Sequence, residues 1–381
     1  MKHSLLKSLA AAAIFAGSAS AADVVINITG STAFRSAANA AIKSALGAGV
    51  KFAWTEATAG DGANKATYAI YANTVGADRV IVRAYWAGSI EGVQYPSDRA
   101  SRNVFIPVPA EPPVGGDIVM TTGSGTNLGN TTYTNPGVID AGFSDVYKAS
   151  AGFPNADLQD NVVGVIPFVF VSHSNSPLTN ITPKAMQMIY QQDAAIVMNL
   201  VDGSTSTDAV YGCGRNGDSG TRVTTLAETG YGYTNVVNQY TASVDASGNV
   251  NGAFSYTGNS GFSSGGTLAK TLRGTSSSAF GWGVAYIGFG DKQATNTVLK
   301  YNGIDYSTAN IQNGSYTLWG YEHCFVAAQV RDATTGTDLV RKTYLANMVA
   351  NVQADPSASG GIVESTMLVK RSGDGAPVVN K

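Results

Sequence analysis

Four times along this chain an apolar, strand-like run ends in a turn of small residues or in a carboxylate. The runs lead to Ser31, to Ser89, to Asp145 and to Ser219. After the first of them, Asp23-Val-Val-Ile-Asn-Ile-Thr29, the residues Ala37, Ala38, Ala41, Ile42, Ala45 and Leu46 repeat at helical spacing. Arg35, Asn39 and Lys43 fall on the opposite face of that helix. Strands that alternate with helices build a largely parallel α/β sheet, and such sheets take ligands at the carboxyl ends of their strands. Four candidate loops in equivalent positions constrain the chain more than any one motif does.

The most specific of the four is Arg215-Asn-Gly-Asp-Ser-Gly-Thr-Arg222, followed by Val223, Leu226 and Ala227 at helical spacing. A helix N-terminus leaves backbone N–H groups unpaired and carries positive partial charge, and Gly220 lets an oxyanion come close to the backbone. Ser219 and Thr221 add hydroxyl donors, and Arg215 offers two parallel donors to a tetrahedral anion. The plainer reading is that Ser219 and Thr221 only cap a helix. Gly30-Ser-Thr-Ala-Phe-Arg35 presents the same choice between cap and ligand loop.

The first 21 residues read as a secretory leader: Lys2 and Lys7 flank the apolar run Leu9–Ala16, which ends in Ala19-Ser20-Ala21. Cleavage there leaves roughly 360 residues, more than one core usually organises, so two domains are expected. The formal charge of the whole chain is −2, with Lys and Arg scattered, which argues against nucleic-acid binding. An anion site must therefore rely on local groups. No cofactor or metal site is expected, because no His, Cys or carboxylate cluster has metal spacing. Cys213 and Cys324 are the two cysteines. Exported, they could form a disulfide bracing the Arg215 loop, or remain two separately buried thiols.

Other segments set the frame. Asn161–Val171 is too apolar to face water on either side and suits a central strand crossing between domains, with Pro167 at an edge or crossover. Thr182 caps and Pro183 opens a helix reaching Gln192. The stretch 96–136 is rich in Pro, Gly, Ser, Thr and Asn and reads as an irregular insertion containing a hairpin. Within it Thr122-Gly-Ser-Gly-Thr-Asn127 has a phosphate-loop spelling but no helix after it. Thr343–Val352 has helical spacing, and the final nine residues read as loop.

Taken in order, ITGSTAF, AGSIEGV, DAGFSD, PLTNITPKAMQMIY, GRNGDSGT and AFGWGVAYIGF resemble segments of type II periplasmic substrate-binding proteins, specifically the phosphate-binding components of ABC transporters. The resemblance spans about residues 24 to 328. It implies two α/β lobes, each a mostly parallel sheet flanked by helices: residues 22–165 with 318–381, and residues 166–317. It implies an oxyanion, phosphate first, held by Ser31, Thr32, Ala33 and Phe34, by Ser89, by Asp145, and by Arg215, Ser219, Gly220 and Thr221. Asp145 would accept a hydrogen bond from a protonated phosphate and so reject a fully ionised anion. The same resemblance implies a monomeric periplasmic protein that delivers its ligand to a membrane permease. The sequence departs from the pattern at Ile90 and Glu91, where small residues are expected.

Two other classes compete with this reading. An enzyme is disfavoured because only His173 and His323 follow the leader. An exported surface or adhesion protein fits the Gly, Asn, Ser and Thr content, and it predicts no affinity for a small anion.

Overall fold

The computed structural model describes residues 23–56 and 62–381. The expected leader, residues 1–21, lies outside the described residues. Strand β1, Asp23–Gly30, lies parallel to β4, Asp78–Tyr85, with Val24 opposite Val80 and Ile28 opposite Ala84. On its other side β1 is parallel to the short strand Ala141–Ser144. Strands β2, Lys51–Trp54, and β3, Tyr68–Val75, extend this half of the sheet by antiparallel pairing. β1 is buried on both faces from Ile26 onward, which explains why its apolar run does not alternate cleanly.

The second half is built from Ala209–Cys213, parallel to Trp282–Gly288, with the two-residue strand Ile196–Val197 at the edge. Two long strands join the halves into one mixed sheet. The crossover strand Leu158–Ser172 pairs antiparallel with the return strand Trp319–Ala327, from Pro167 opposite Trp319 to Leu158 opposite Ala327. Pro167 therefore sits inside the crossover, as expected. The neighbouring Phe168 N–H donates to the Leu318 carbonyl just before the return strand begins. The parallel pairs of β1 with its two neighbours and of Ala209–Cys213 with Trp282–Gly288 carry the candidate loops, while the long strands between the halves pair antiparallel.

Helix α1, Arg35–Leu46, buries Ala37, Ala38, Ala41, Ile42 and Leu46. It packs on the long helix Gly336–Ala354, where the Tyr344 hydroxyl donates to the Ile42 carbonyl at 2.9 Å. That helix is nearly twice the length its spacing suggested, because its first turns are polar and carry little periodic signal. The opposite face of α1 is also covered: the short turn Ala63–Lys65 takes hydrogen bonds from Asn39 to Ala63 and from Arg35 to Ala66. Helix α2, Ser89–Asp98, follows β4 and runs past Pro96, so the insertion begins later than expected. Its two ends are tied together by the antiparallel pair Ser101–Phe105 and Asn135–Val138, which brackets the insertion instead of forming the expected hairpin within it. Helix α3, Pro183–Gln191, starts as foreseen, with the Thr182 hydroxyl accepting from Ala185 N–H at 3.1 Å.

One open choice is decided and one reading is corrected. Cys213 and Cys324 do not form a disulfide; both are free and buried. They end up in different halves of the sheet, Cys213 opposite Ala285 and Cys324 opposite Phe143, so their strands hold them apart. The chain end is not all loop either, since Val379–Asn380 pairs with Val369–Lys370.

Candidate functional site

Each expected loop lies at the carboxyl end of a strand, and the loops meet where the two halves face each other. The loop after β1 begins with Gly30 and leads into α1. Ser31 is fully buried, and its hydroxyl oxygen accepts from Phe34 N–H at 3.2 Å. The Phe34 ring packs near Phe143 and serves the core rather than the cleft. Ala33 lies against the end of the strand Trp282–Gly288, since a side chain added at Gly288 would come within 3.0 Å of its methyl group. Next to this loop, Gly88 donates to the Gly30 carbonyl at 3.1 Å and ushers in α2, with Ser89 as its first residue. Gly88 has φ +157, and a side chain there would strike the Asp218 carbonyl at 2.6 Å, so glycine is required where the halves touch.

From the other half comes the loop Cys213–Ser219 and the helix Gly220–Glu228. Ser219 is the N-cap of this helix, its oxygen accepting from Arg222 N–H at 3.3 Å. The cap and the ligand reading are compatible: capping uses a lone pair and leaves the hydroxyl proton for a guest. Gly220 lies against Asp145, and a Cβ at that position would fall 1.6 Å from the carboxylate oxygen Oδ1. Thr221 donates its hydroxyl to the other oxygen, Oδ2, at 3.3 Å, and Thr224 donates to the Asp145 carbonyl at 3.2 Å. The loop of one half is thus sealed onto the carboxylate of the other.

Arg215 is held in place by three hydrogen bonds from its side chain. Its Nε donates to the Phe262 carbonyl at 3.0 Å, and its Nη2 donates to the Ser263 carbonyl at 2.9 Å and to the Thr32 hydroxyl at 3.0 Å. The last bond crosses between the halves. Its Nη1 is buried with no hydrogen-bond partner among the described residues. Burial works against the charge of this guanidinium, and Asp291 and then Asp145 oppose that effect. Arg222, the other end of the motif, turns away and braces the loop by donating to the Arg215 and Asn259 carbonyls.

Asp145 is only 1% exposed, and burial pushes its carboxyl up to about 6, against the pull of Ser89 and Arg215. Its Oδ1 has no hydrogen-bond partner among the described residues. The geometry therefore sets a buried donor, Arg215 Nη1, and a buried acceptor, Asp145 Oδ1, in one cluster with the hydroxyls of Ser31, Thr32, Ser89, Ser219 and Thr221. Such a set can hold a small polar guest that both accepts and donates.

All ten expected residues gather here, though Phe34 contributes packing. Sequence reasoning missed Asp291, buried in the turn after the strand Trp282–Gly288. It pairs with Lys65 at 3.1 Å and is the foremost charge acting on Arg215. The end of that strand, which the sequence makes recognisable, was the available signal. Glu322 was missed as well, hidden inside an apolar strand. Glu91, an unwelcome charge beside an anion, turns along α2 to accept from the Tyr95 hydroxyl. The loop Thr122–Asn127 stays out of the cluster, at the sheet edge beside Phe52. Gly261-Phe-Ser-Ser-Gly265 has the Gly-x-Ser-x-Gly spacing of a nucleophile turn, but no strand of the sheet leads into it. His173 is buried against the Phe254 and Trp282 rings, and His323 faces Asp160, so neither ring is among the cluster's contacts. Among the described residues no helix is long and apolar enough to cross a membrane.

No family model matches the chain, and no curated protein matches it. Solved structures do. A candidate phosphate ABC transporter substrate-binding protein with bound phosphate, from Clostridium perfringens, aligns over 87% of this chain and 97% of its own, with TM-score 0.51 and 14% identity. An ABC-type phosphate transport receptor from Vibrio cholerae aligns over 88% of this chain and 99% of its own, with TM-score 0.49 and 12% identity. The chain shares the two-lobed α/β fold of that candidate substrate-binding protein from Clostridium perfringens.

Proposed function

We propose that the chain is an exported substrate-binding protein that closes two lobes, residues 22–165 with 318–381 and residues 166–317, on a small oxyanion. Phosphate is the first candidate, and a membrane permease of the ABC type is the receiver. The observation that carries this reading is the buried pair of unsatisfied groups, Arg215 Nη1 and Asp145 Oδ1, brought together from opposite halves. A protonated tetrahedral oxyanion satisfies both, accepting from the guanidinium and donating to the carboxylate. A fully ionised anion of the same shape would leave Asp145 facing a lone pair, which disfavours sulfate.

The test is isothermal titration with phosphate, arsenate and sulfate, alongside thermal unfolding. Phosphate and arsenate are expected to bind and sulfate to bind far more weakly. At a hundred times its dissociation constant the ligand should add about 2.7 kcal/mol of stability. A protein that responds to none of the three would be read as a surface protein using the same fold.

A further inference from the structure

After the helix Gly336–Ala354 the chain runs back along the joint between the two halves of the sheet. Ile362 exchanges backbone hydrogen bonds with Val165 on the crossover strand, at 2.8 and 2.9 Å. Leu368 N–H then donates to the Gln312 carbonyl at 2.9 Å, and the Gln312 amide donates to the Thr366 hydroxyl at 2.8 Å. Arg371 turns inward, and its side chain is fully buried. It donates to the Trp319 carbonyl at 2.9 Å and to the Thr317 carbonyl at 2.7 Å, at the start of the return strand. Its guanidinium lies over the Trp319 ring, 4.2 Å from the centroid, and forms an ion pair with Glu228 at 3.1 Å. The Thr317 hydroxyl donates to the other carboxylate oxygen of Glu228. Three residues later Asp374 accepts from Tyr147 N–H at 3.0 Å, while the Tyr147 hydroxyl donates back to the Arg371 carbonyl at 3.1 Å. Gly375 completes the segment with φ +69, and a side chain there would come within 2.7 Å of the Ala227 carbonyl oxygen.

The residues gripped in this way belong to two elements of the site. Glu228 is the last residue of the helix Gly220–Glu228, whose first turn carries Gly220 and Thr221. Tyr147 lies two residues beyond Asp145. The helix comes from one half and the Asp145 loop from the other, and near the cleft they meet directly through Thr221 and Thr224. The terminal segment fastens the same two elements again, away from the cleft. We propose that residues 371–375 are a strap that holds the helix Gly220–Glu228 onto the Asp145 loop, keeps the halves closed and slows release of the guest. The guest and the moving lobes rest on the oxyanion reading above; the strap adds to it a control on closure by residues outside the ten-residue cluster. An anion is held only when Arg215 and Asp145 stand together, so whatever raises the population of that arrangement raises apparent affinity by the same factor.

The experiment uses the full chain carrying Arg371→Met together with Glu228→Gln, a combination that leaves no lone charge buried. Asp374 stays in place because its charge is felt at Asp145. Tyr147→Phe is the milder second variant, removing only the hydroxyl bond to Arg371. Circular dichroism checks the fold, stopped-flow measures phosphate release, and small-angle scattering is recorded with and without phosphate. The folded double variant should release phosphate on the order of tenfold faster than the wild type, the worth of one hydrogen bond to a charged group. Without phosphate it should scatter as a more extended particle than the wild type, and phosphate should make it compact again. Tyr147→Phe should shift both readouts in the same direction by less. Wild-type release and wild-type phosphate-free scattering in the folded double variant overturn the proposal. If the double variant does not fold, Tyr147→Phe decides in the same way. If no form of the protein binds phosphate, the oxyanion reading falls; the phosphate-free scattering then still tests the strap, and identical curves for wild type and variants overturn it.

Discussion

Asp145→Asn separates what the site costs the fold from what it gives the ligand. In the folded protein the Asp145 carboxyl titrates near 6, against 3.8 for an ordinary aspartate. The native state therefore binds more protons than the unfolded state between these values, and stability falls as pH rises through the interval. The group is fully buried, so a shift of about two units corresponds to about 3 kcal/mol, complete above pH 6 and absent below about pH 4. An asparagine side chain at this position keeps the shape and carries no charge. In the absence of ligand the variant should match the wild type near pH 4 and exceed it by about 3 kcal/mol at pH 7, read from urea midpoints at a series of pH values. Glu228, Asp140 and Asp374 are also held above their usual range by burial, so the quantity to follow is the difference between variant and wild type at each pH. The same variant should lose its preference for phosphate over sulfate, because an amide can donate to either. A stability difference that stays flat between pH 4 and pH 7 would refute the assignment of Asp145 as a strained, buried acid.

Arg215→Ala removes the guanidinium, takes from Thr32 its donor and from Asp145 its nearby cation, and leaves Asp291 with Lys65 alone. Phosphate-dependent thermal stabilisation should vanish, a loss of at least about 2 kcal/mol of binding by the scale of hydrogen bonds to charged groups. Gly220→Ala places a methyl group where Asp145 Oδ1 now lies. It should cost about 1 to 3 kcal/mol in chemical denaturation and weaken phosphate binding, because the carboxylate must move. Thiol titration under non-reducing conditions should find neither cysteine in the folded protein and both after denaturation, since Cys213 and Cys324 are buried and unpaired. A thiol count of zero after denaturation would restore the disulfide.

The loops were legible in the sequence because their chemistry is local. A strand ending in Gly-Ser-Thr or Asp-Ser-Gly-Thr announces a helix N-terminus whichever fold surrounds it, and Ser31, Ser89 and Ser219 all proved to sit at such ends. The order of the strands supplied the rest, placing Asp145 at the tip of a neighbouring strand. Asp291 and Glu322 were harder to read: Asp291 was marked only by the recognisable end of its strand, and Glu322 lies inside an apolar strand with no local pattern to set it apart. The polar face of α1 misled in the same way, because the partner that covers Arg35 and Asn39 arrives from the turn at Ala63–Lys65. The choice between a disulfide and two buried thiols stayed open in the sequence, as no spacing reveals that two strands stand apart.

The ribbon formed by the crossover and return strands is the stretch of sheet that joins its two halves. Its pairing slips by one residue between Glu322 and His323. An irregularity of this kind bends the strand and strengthens its twist locally, so Glu322 stands where the shared ribbon changes course. On the substrate-binding reading proposed above, any swing of one half against the other must pass through this ribbon, because it is the stretch of sheet that both halves share.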